Sequence, residues 1–292
     1  MKKIERVVKN LSKYMLAYTL VAILAGVFVG YKYSPTFLSD YIMVIVFLMI
    51  YPMMVNVSFE ALRQIRKSHK TVAIALFLNF VLSPLLYWLL CTIFEVPMDI
   101  KIALLLLAVA PASSMGLGYV GLSGGDMVSA SIIVALAFIL SLIVYPITLH
   151  SLNIGQEIVP FDAAIKSLVF VLVLPFVLGL ITREEFIERR NVDYREIKPY
   201  FSLVTLTFLY ILIFVIFALK GQAIIKHWEK VMLIAPIAVT FYTIMISIAL
   251  LFSKYLVKLD YENSQAIVFT TVSKNVALTI GLLVTIFGKS GH

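Results

Sequence analysis

The chain has 292 residues, 62% of them hydrophobic and 14% charged, with a mean hydropathy of +1.02. Soluble domains carry about 45–50% apolar and about 25% charged residues, so this composition excludes a soluble globular protein and indicates an integral membrane protein. The net charge of +8 does not point to nucleic acid, because the basic residues sit in short segments between apolar runs, where they report topology.

Residues 1–13 set Ile4, Val7, Val8 and Leu11 at helical spacing opposite lysines, which reads as a cytoplasmic interfacial helix. Nine apolar runs of span length follow, near 14–31, 41–58, 71–94, 101–122, 127–149, 164–182, 200–219, 231–253 and 264–287. The first is too long for the core of a signal peptide and has no small-residue cleavage site, so it reads as a retained helix. Basic residues cluster in the N-terminus, after the second span (Arg63, Arg66, Lys67, Lys70), after the sixth (Arg183, Arg189, Arg190, Arg195, Lys198) and after the eighth (Lys254, Lys258). Those segments alternate correctly across the spans, and the positive-inside rule puts the N-terminus in the cytoplasm of a multi-pass plasma-membrane protein.

The third span carries Asn79 and the single cysteine, Cys91. One thiol excludes an intrachain disulfide and any multi-cysteine metal site. In the fourth span Pro111 comes midway and is followed by Ser113, Ser114, Gly116, Gly118 and Gly121. Proline removes a backbone donor and clashes with the preceding turn, and glycine weakens a helix further, so the helix is expected to break at Pro111, Gly116 and Gly118. Asp126 follows Gly124-Gly125 and is expected to cap the fifth helix. Pro52, Pro84, Pro175 and Pro236 lack polar company and read as kinks. Residues 150–163 are expected to form a loop between the halves, and the mixed charges of 183–198 suggest a solvated loop or a short surface helix.

The ninth span loses its apolar character at Ser273-Lys274-Asn275. A cation near the bilayer centre costs at least ~2.5–3.5 kcal/mol, so Lys274 is expected to face a cavity, a partner or a ligand. The two interruptions lie five spans apart, and an odd number of spans per half inverts the second half relative to the first. This is the pattern of an all-α polytopic transporter with inverted five-helix repeats and a midplane site at two broken helices. The first repeat is 14–149 (spans one to five), and the second is 164–292 (spans six to nine). Substrate-binding or coupling residues are then Lys274, Asn275, Ser273, Thr270, Thr271, Ser113, Ser114 and Asn56, with Ser129, Ser131, Asn79 and Thr279 as further polar groups near the breaks.

Three segments resemble the superfamily of the bile acid:sodium symporters and the arsenical-resistance transporters. They are Leu48–Leu62, the fourth-span set Ala110-Pro111, Met115, Tyr119, Leu122 and Gly125-Asp126, and the ninth-span set Phe269-Thr270, Ser273, Asn275, Leu278 and Ile280. The resemblance implies ten helices in two inverted repeats, a panel and a core domain, and a crossing of helices four and nine. This sequence ends at Gly291-His292 directly after the ninth span, so the tenth helix is expected to be missing. The motifs lie closer to the arsenical branch, yet Ala112 stands where that branch has a cysteine after the proline, and Ala277 where it has an acidic residue. Sodium ligands of the other branch fall on Thr270, Lys274 and Gly116-Leu117. The sodium site is therefore expected to be lost, and no cofactor is implied.

The expected function is secondary-active transport of a small, anionic organic solute, proton-coupled or sodium-independent, by alternating access about the crossing. Arsenite or antimonite efflux is the alternative, and a non-transporting receptor or scaffold the alternative of another class. No intramembrane catalytic constellation is present in the sequence, so an enzyme is not expected. The partners implied are a small-molecule solute and the lipid bilayer.

Overall fold

In the computed structural model, residues 2–55, 64–152, 161–190, 192–226 and 228–287 are described. They are helical, with no β-strand among them beyond a single isolated backbone bridge. The helices are α1 (Lys2–Lys13), α2 (Met15–Tyr33), α3 (Ile42–Val55), α4 (Ile65–Phe77), α5 (Ser83–Ile93), α6 (Met98–Ala108), α7 (Ser114–Leu122) and α8 (Met127–Leu152). The second half continues with α9 (Phe161–Leu168), α10 (Leu174–Ile181), α11 (Tyr194–Lys226), α12 (Trp228–Leu251), α13 (Tyr261–Val272) and α14 (Val276–Phe287).

Seven helical segments among the described residues are long and apolar enough to cross a membrane: Met15–Tyr33, Thr36–Val55, Ile65–Ile93, Met127–Leu152, Ile165–Ile187, Glu196–Lys226 and Met232–Leu256. The remaining two sequence-read spans are each divided, the fourth into α6 and α7 and the ninth into α13 and α14. Two of the prolines read as kinks act differently. Pro84 and Pro175 each follow a five-residue π-turn, Leu78–Leu82 and Val169–Val173, that joins α4 to α5 and α9 to α10. Pro52 and Pro236 lie inside α3 and α12. The mixed-charge segment after the sixth span is a π-helical extension, Thr182–Glu188, before α11 begins.

The chain divides into two compact units, and each draws on both halves of the sequence. One comprises 1–56, 162–231 and 280–292. Apolar burial does not drive helix association in lipid, so close approach must come from small residues. Gly26 and Gly30 of α2 face α11, where a Cβ on Gly26 would stand 2.6 Å from the Phe214 carbonyl and one on Gly30 would collide with the Ala218 backbone. Tyr210 of α11 also donates to the Leu11 carbonyl at 2.9 Å, which ties α1 to this pair. Near the end of the sixth span, the Arg183 guanidinium lies 4.0 Å from the Tyr194 ring centroid. Burial pushes the Tyr194 phenol up to about 12 despite that guanidinium.

The other unit comprises 57–161 and 232–279. Its core packs α4, α5, α6, α8, α12 and α13, with Tyr87 stacked on Phe241 at 3.8 Å between centroids. Both broken spans meet in this unit.

Candidate functional site

The fourth span breaks because its backbone runs out of donors. Val109 N–H closes the last turn of α6 on Leu105 O, Ala110 N–H tightens onto Leu107 O, and Pro111 has no N–H to continue. A residue before proline is also steered away from α geometry. The chain stays unwound until α7 starts at Ser114. Gly116 and Gly118 therefore lie within the continuous α7, and the break itself is 109–113. Gly116 serves approach instead, since a Cβ there would come within 3.0 Å of Ser273 Cβ and 3.2 Å of the Phe269 carbonyl. Gly118 faces open space.

The ninth span opens at Ser273 (φ −80°, ψ 72°), an inverse γ geometry. Lys274 N–H then reaches Val272 O, and Val276 N–H reaches Lys274 O, both at 2.9 Å. Asn275 restarts the helix: its Oδ1 accepts from Leu278 N–H at 3.1 Å, and its carbonyl accepts from both Thr279 N–H and Thr279 Oγ1. That is an N-cap, the arrangement that satisfies otherwise orphaned first-turn donors.

The two unwound segments satisfy one another. Ser113 N–H donates to Ser273 O at 2.7 Å, and Asn275 N–H donates to Pro111 O at 3.0 Å. Ala112 thus pairs antiparallel with Lys274, and this bridge is the crossing of the broken helices.

Lys274 is 4% exposed, and each of its three ammonium protons has an acceptor: Asn79 O at 3.1 Å, Asn79 Oδ1 at 2.8 Å and Ala108 O at 2.8 Å. Both carbonyls are available for stated reasons. Four residues beyond Asn79, Ser83 N–H donates to Leu78 O in the π-turn, and five residues beyond it Pro84 has no N–H to give. Ala108 ends α6, so its carbonyl belongs to the unsatisfied last turn and to the negative end of the helix dipole. Ser83 Oγ adds a second hydrogen bond to that carbonyl at 3.1 Å. Asn79 is held in turn by donating Nδ2 to Thr270 O at 3.4 Å.

The ammonium therefore sits among neutral oxygens, and among the described residues no carboxylate pairs with it. The nearby helix starts add the same sign, because α7 begins at Ser114 and α14 at Val276, beside the bridge. The partial positive charge of two helix N-termini thus converges on the bridge beside Lys274.

The other sequence-read residues divide as follows. Ser113, Ser273 and Asn275 join the bridge through their backbones. Thr270 is buried, and its hydroxyl returns to the carbonyls of Ala266 and Ile267. Thr271 Oγ1 is buried with no hydrogen-bond partner among the described residues. Ser114 opens α7, and the placement of its side chain lies outside what is described, as does Asn56 entirely. Thr279 belongs to the cap of α14 and also lies 3.4 Å from the Tyr145 hydroxyl.

Ser129 and Ser131 belong elsewhere. Asp126 caps α8, accepting from Val128 N–H at 2.9 Å and Ser129 N–H at 3.3 Å. The Ser129 hydroxyl lies against Asp126 and 2.7 Å from Ser68 Oγ, while Thr71 donates to Asn263 Oδ1 at 2.8 Å. This network joins α4, α8 and α13 at the start of α13, away from the break. Ser131 turns back to Met127 O. Sequence reading missed Ser83 and Ala108. The signal for the first was the Ser83-Pro84 pair four residues after Asn79, and for the second its position three residues before Pro111.

The Sodium Bile acid symporter family model matches residues 43–228. The chain is 25% identical over 302 residues to the Arsenical-resistance protein Acr3 of Alkaliphilus metalliredigens, covering 94% of this chain and 84% of that one. It is 24% identical to the Arsenical-resistance protein Acr3 of Corynebacterium glutamicum, covering 96% and 82% of the two chains. An uncharacterized transporter of Synechocystis is likewise 24% identical, over 94% of this chain and 80% of the relative.

Proposed function

We propose that the chain, which belongs to the Sodium Bile acid symporter family, is a secondary-active transporter of a small anionic organic solute that works without a sodium ion at the crossing. Membership and the relatives make it a membrane transporter, and the finer reading rests on Lys274. A single buried lysine, held by Asn79 O, Asn79 Oδ1 and Ala108 O, supplies a fixed or titratable positive charge at the meeting of two half-helices. Its charge is not neutralised by a carboxylate among the described residues, and two helix N-termini start beside it. A solute carboxylate, sulfonate or phosphate gains from that field, whereas a free cation is repelled. The proton gradient supplies the driving force, and alternating access turns on rearrangement of the crossing. Plasma-membrane location and a cytoplasmic N-terminus belong to the same reading.

Flux into proteoliposomes tests it. Uptake of an anionic solute is expected to survive replacement of sodium by potassium, to fall when the pH gradient is collapsed, and to fall at least tenfold in Lys274→Met. Strict sodium dependence, or undiminished flux in that variant, overturns the reading.

A second reading, arsenite or antimonite efflux, draws on the names of the relatives. A cell survival assay on arsenite separates the two. The crossing offers no thiol at Ala112, and the single cysteine, Cys91, is buried in α5, so survival is expected to be unchanged by expression of this chain.

A further inference from the structure

The 57–161 and 232–279 unit also carries a groove of about 500 Å³ that reaches the break at Val109 and is not lined by Lys274 or its acceptors. Its floor is Leu105 and Val109, both buried, and its walls include Pro84 and Val144. Its exposed lining residues, Trp88 at 52%, Ile147 at 61% and Ser151, mark its open end. Its lining is otherwise apolar apart from Thr148, three residues before Ser151.

That end carries a positive charge. Lys101 and Leu105 lie four residues apart on one face of α6, and Val109 follows at its C-terminal end. Lys101 Nζ lies 5.7 Å from the Trp88 ring centroid, which fixes the cation beside the mouth. Asp99 lies about 200° round α6 from Lys101 and so off its face, and Glu95 is exposed in the turn before the helix. From Lys101 to Val109 is about 12 Å along the helix, against about 15 Å for half of a bilayer's hydrocarbon core. A tryptophan and a snorkelling lysine at one end are what the membrane–water interface selects.

From these dimensions and this charge we infer that the groove holds one acyl chain of an anionic phospholipid, with the head group on Lys101. The occupant is a lipid and not a second copy of the chain, because a one-leaflet-deep apolar slot under a single cation matches a chain bearing an anionic head. Its floor and walls include Pro84 and Val109, the chain neighbours of Ser83 and Ala108, so the bound tail braces the cage.

Trp88 reports on this directly, since the chain has only two tryptophans and Trp228→Phe leaves one. That variant is placed in phosphatidylcholine vesicles containing a small fraction of either dibrominated phosphatidylglycerol or dibrominated phosphatidylcholine. One lysine near a bilayer surface contributes about 1 kcal/mol, so the anionic lipid is expected to quench at about fivefold lower mole fraction. Lys101→Gln is expected to abolish that preference, and Val144→Phe, which fills the slot, to reduce quenching by the anionic lipid. Equal quenching by the two lipids, or a preference that survives Lys101→Gln, overturns the inference. So does displacement by dodecanoate that is itself carried across the vesicle, which would make the groove part of the solute path. Quenching that vanishes as protein density rises would assign the groove to a second copy and overturn it too.

Discussion

Each ammonium proton of Lys274 has an acceptor, and that sets an order of sensitivity that stability measurements can read. Hydrogen bonds to a charged group contribute about 1.5–3 kcal/mol, and a buried polar group left alone costs about 1–3 kcal/mol. Asn79→Ala removes one acceptor from the ammonium and the amide from Thr270 O. Lys274→Met removes the donor from two buried carbonyls and one side-chain oxygen at once. Asn275→Ala removes an N-cap, worth about 1 kcal/mol. Thermal unfolding in detergent should therefore rank the losses as Lys274→Met, then Asn79→Ala, then Asn275→Ala, and any other order would show that the cage is not what holds the crossing. Lys274 itself was legible in the sequence, because a charge in an apolar run is conspicuous. Asn79 was legible too, as a polar group near the breaks, but the two backbone acceptors were not, since every residue possesses such an oxygen. What frees them is the π-turn at Leu78–Leu82 and the end of α6, and no residue pattern announces a π-turn.

The helical elements were more legible than their ends. Runs of apolar residues mark spans by length alone, and Pro111 and Ser273-Lys274-Asn275 marked the two that divide. Glycine was the less certain guide, for helix-weakening residues can also be contact residues. Gly116 sits inside a continuous helix and lets α7 approach α13, whereas the unwinding belongs to Pro111. The same distinction governs α2 and α11. Gly26 and Gly30 bring the helices to backbone contact, and most of the α2 surface otherwise faces outward. Gly30→Leu should force α2 off α11 and lower the unfolding temperature by several degrees, while Gly118→Ala, which meets nothing within 4 Å, should leave it unchanged or raise it slightly. A differential scan on the two purified variants decides this. If both behave alike, small-residue packing is not what joins α2 to α11.

At the scale of the molecule, the grouping of spans into two units was not readable from residue patterns, because each unit joins segments far apart in sequence. Hydropathy locates a helix without naming its neighbour. The resemblance to a known superfamily supplied that expectation, and the residues alone supplied the departures, Lys274 and Ala112 among them. The family match and the broken-helix bridge now stand together on the same chain.

The covalent stem of Lys274 has one more consequence. An ion that is part of the polypeptide has no dissociation constant, cannot be diluted away, and is never left on the far side of the membrane. Its place in the cage does not depend on which alkali cation is in the medium, so exchanging sodium, potassium and lithium at constant ionic strength should not move the unfolding temperature. The electrical ledger changes as well: with the cation confined to the protein, an anionic solute crossing without a proton would be recorded as current, and one crossing with a proton would be silent.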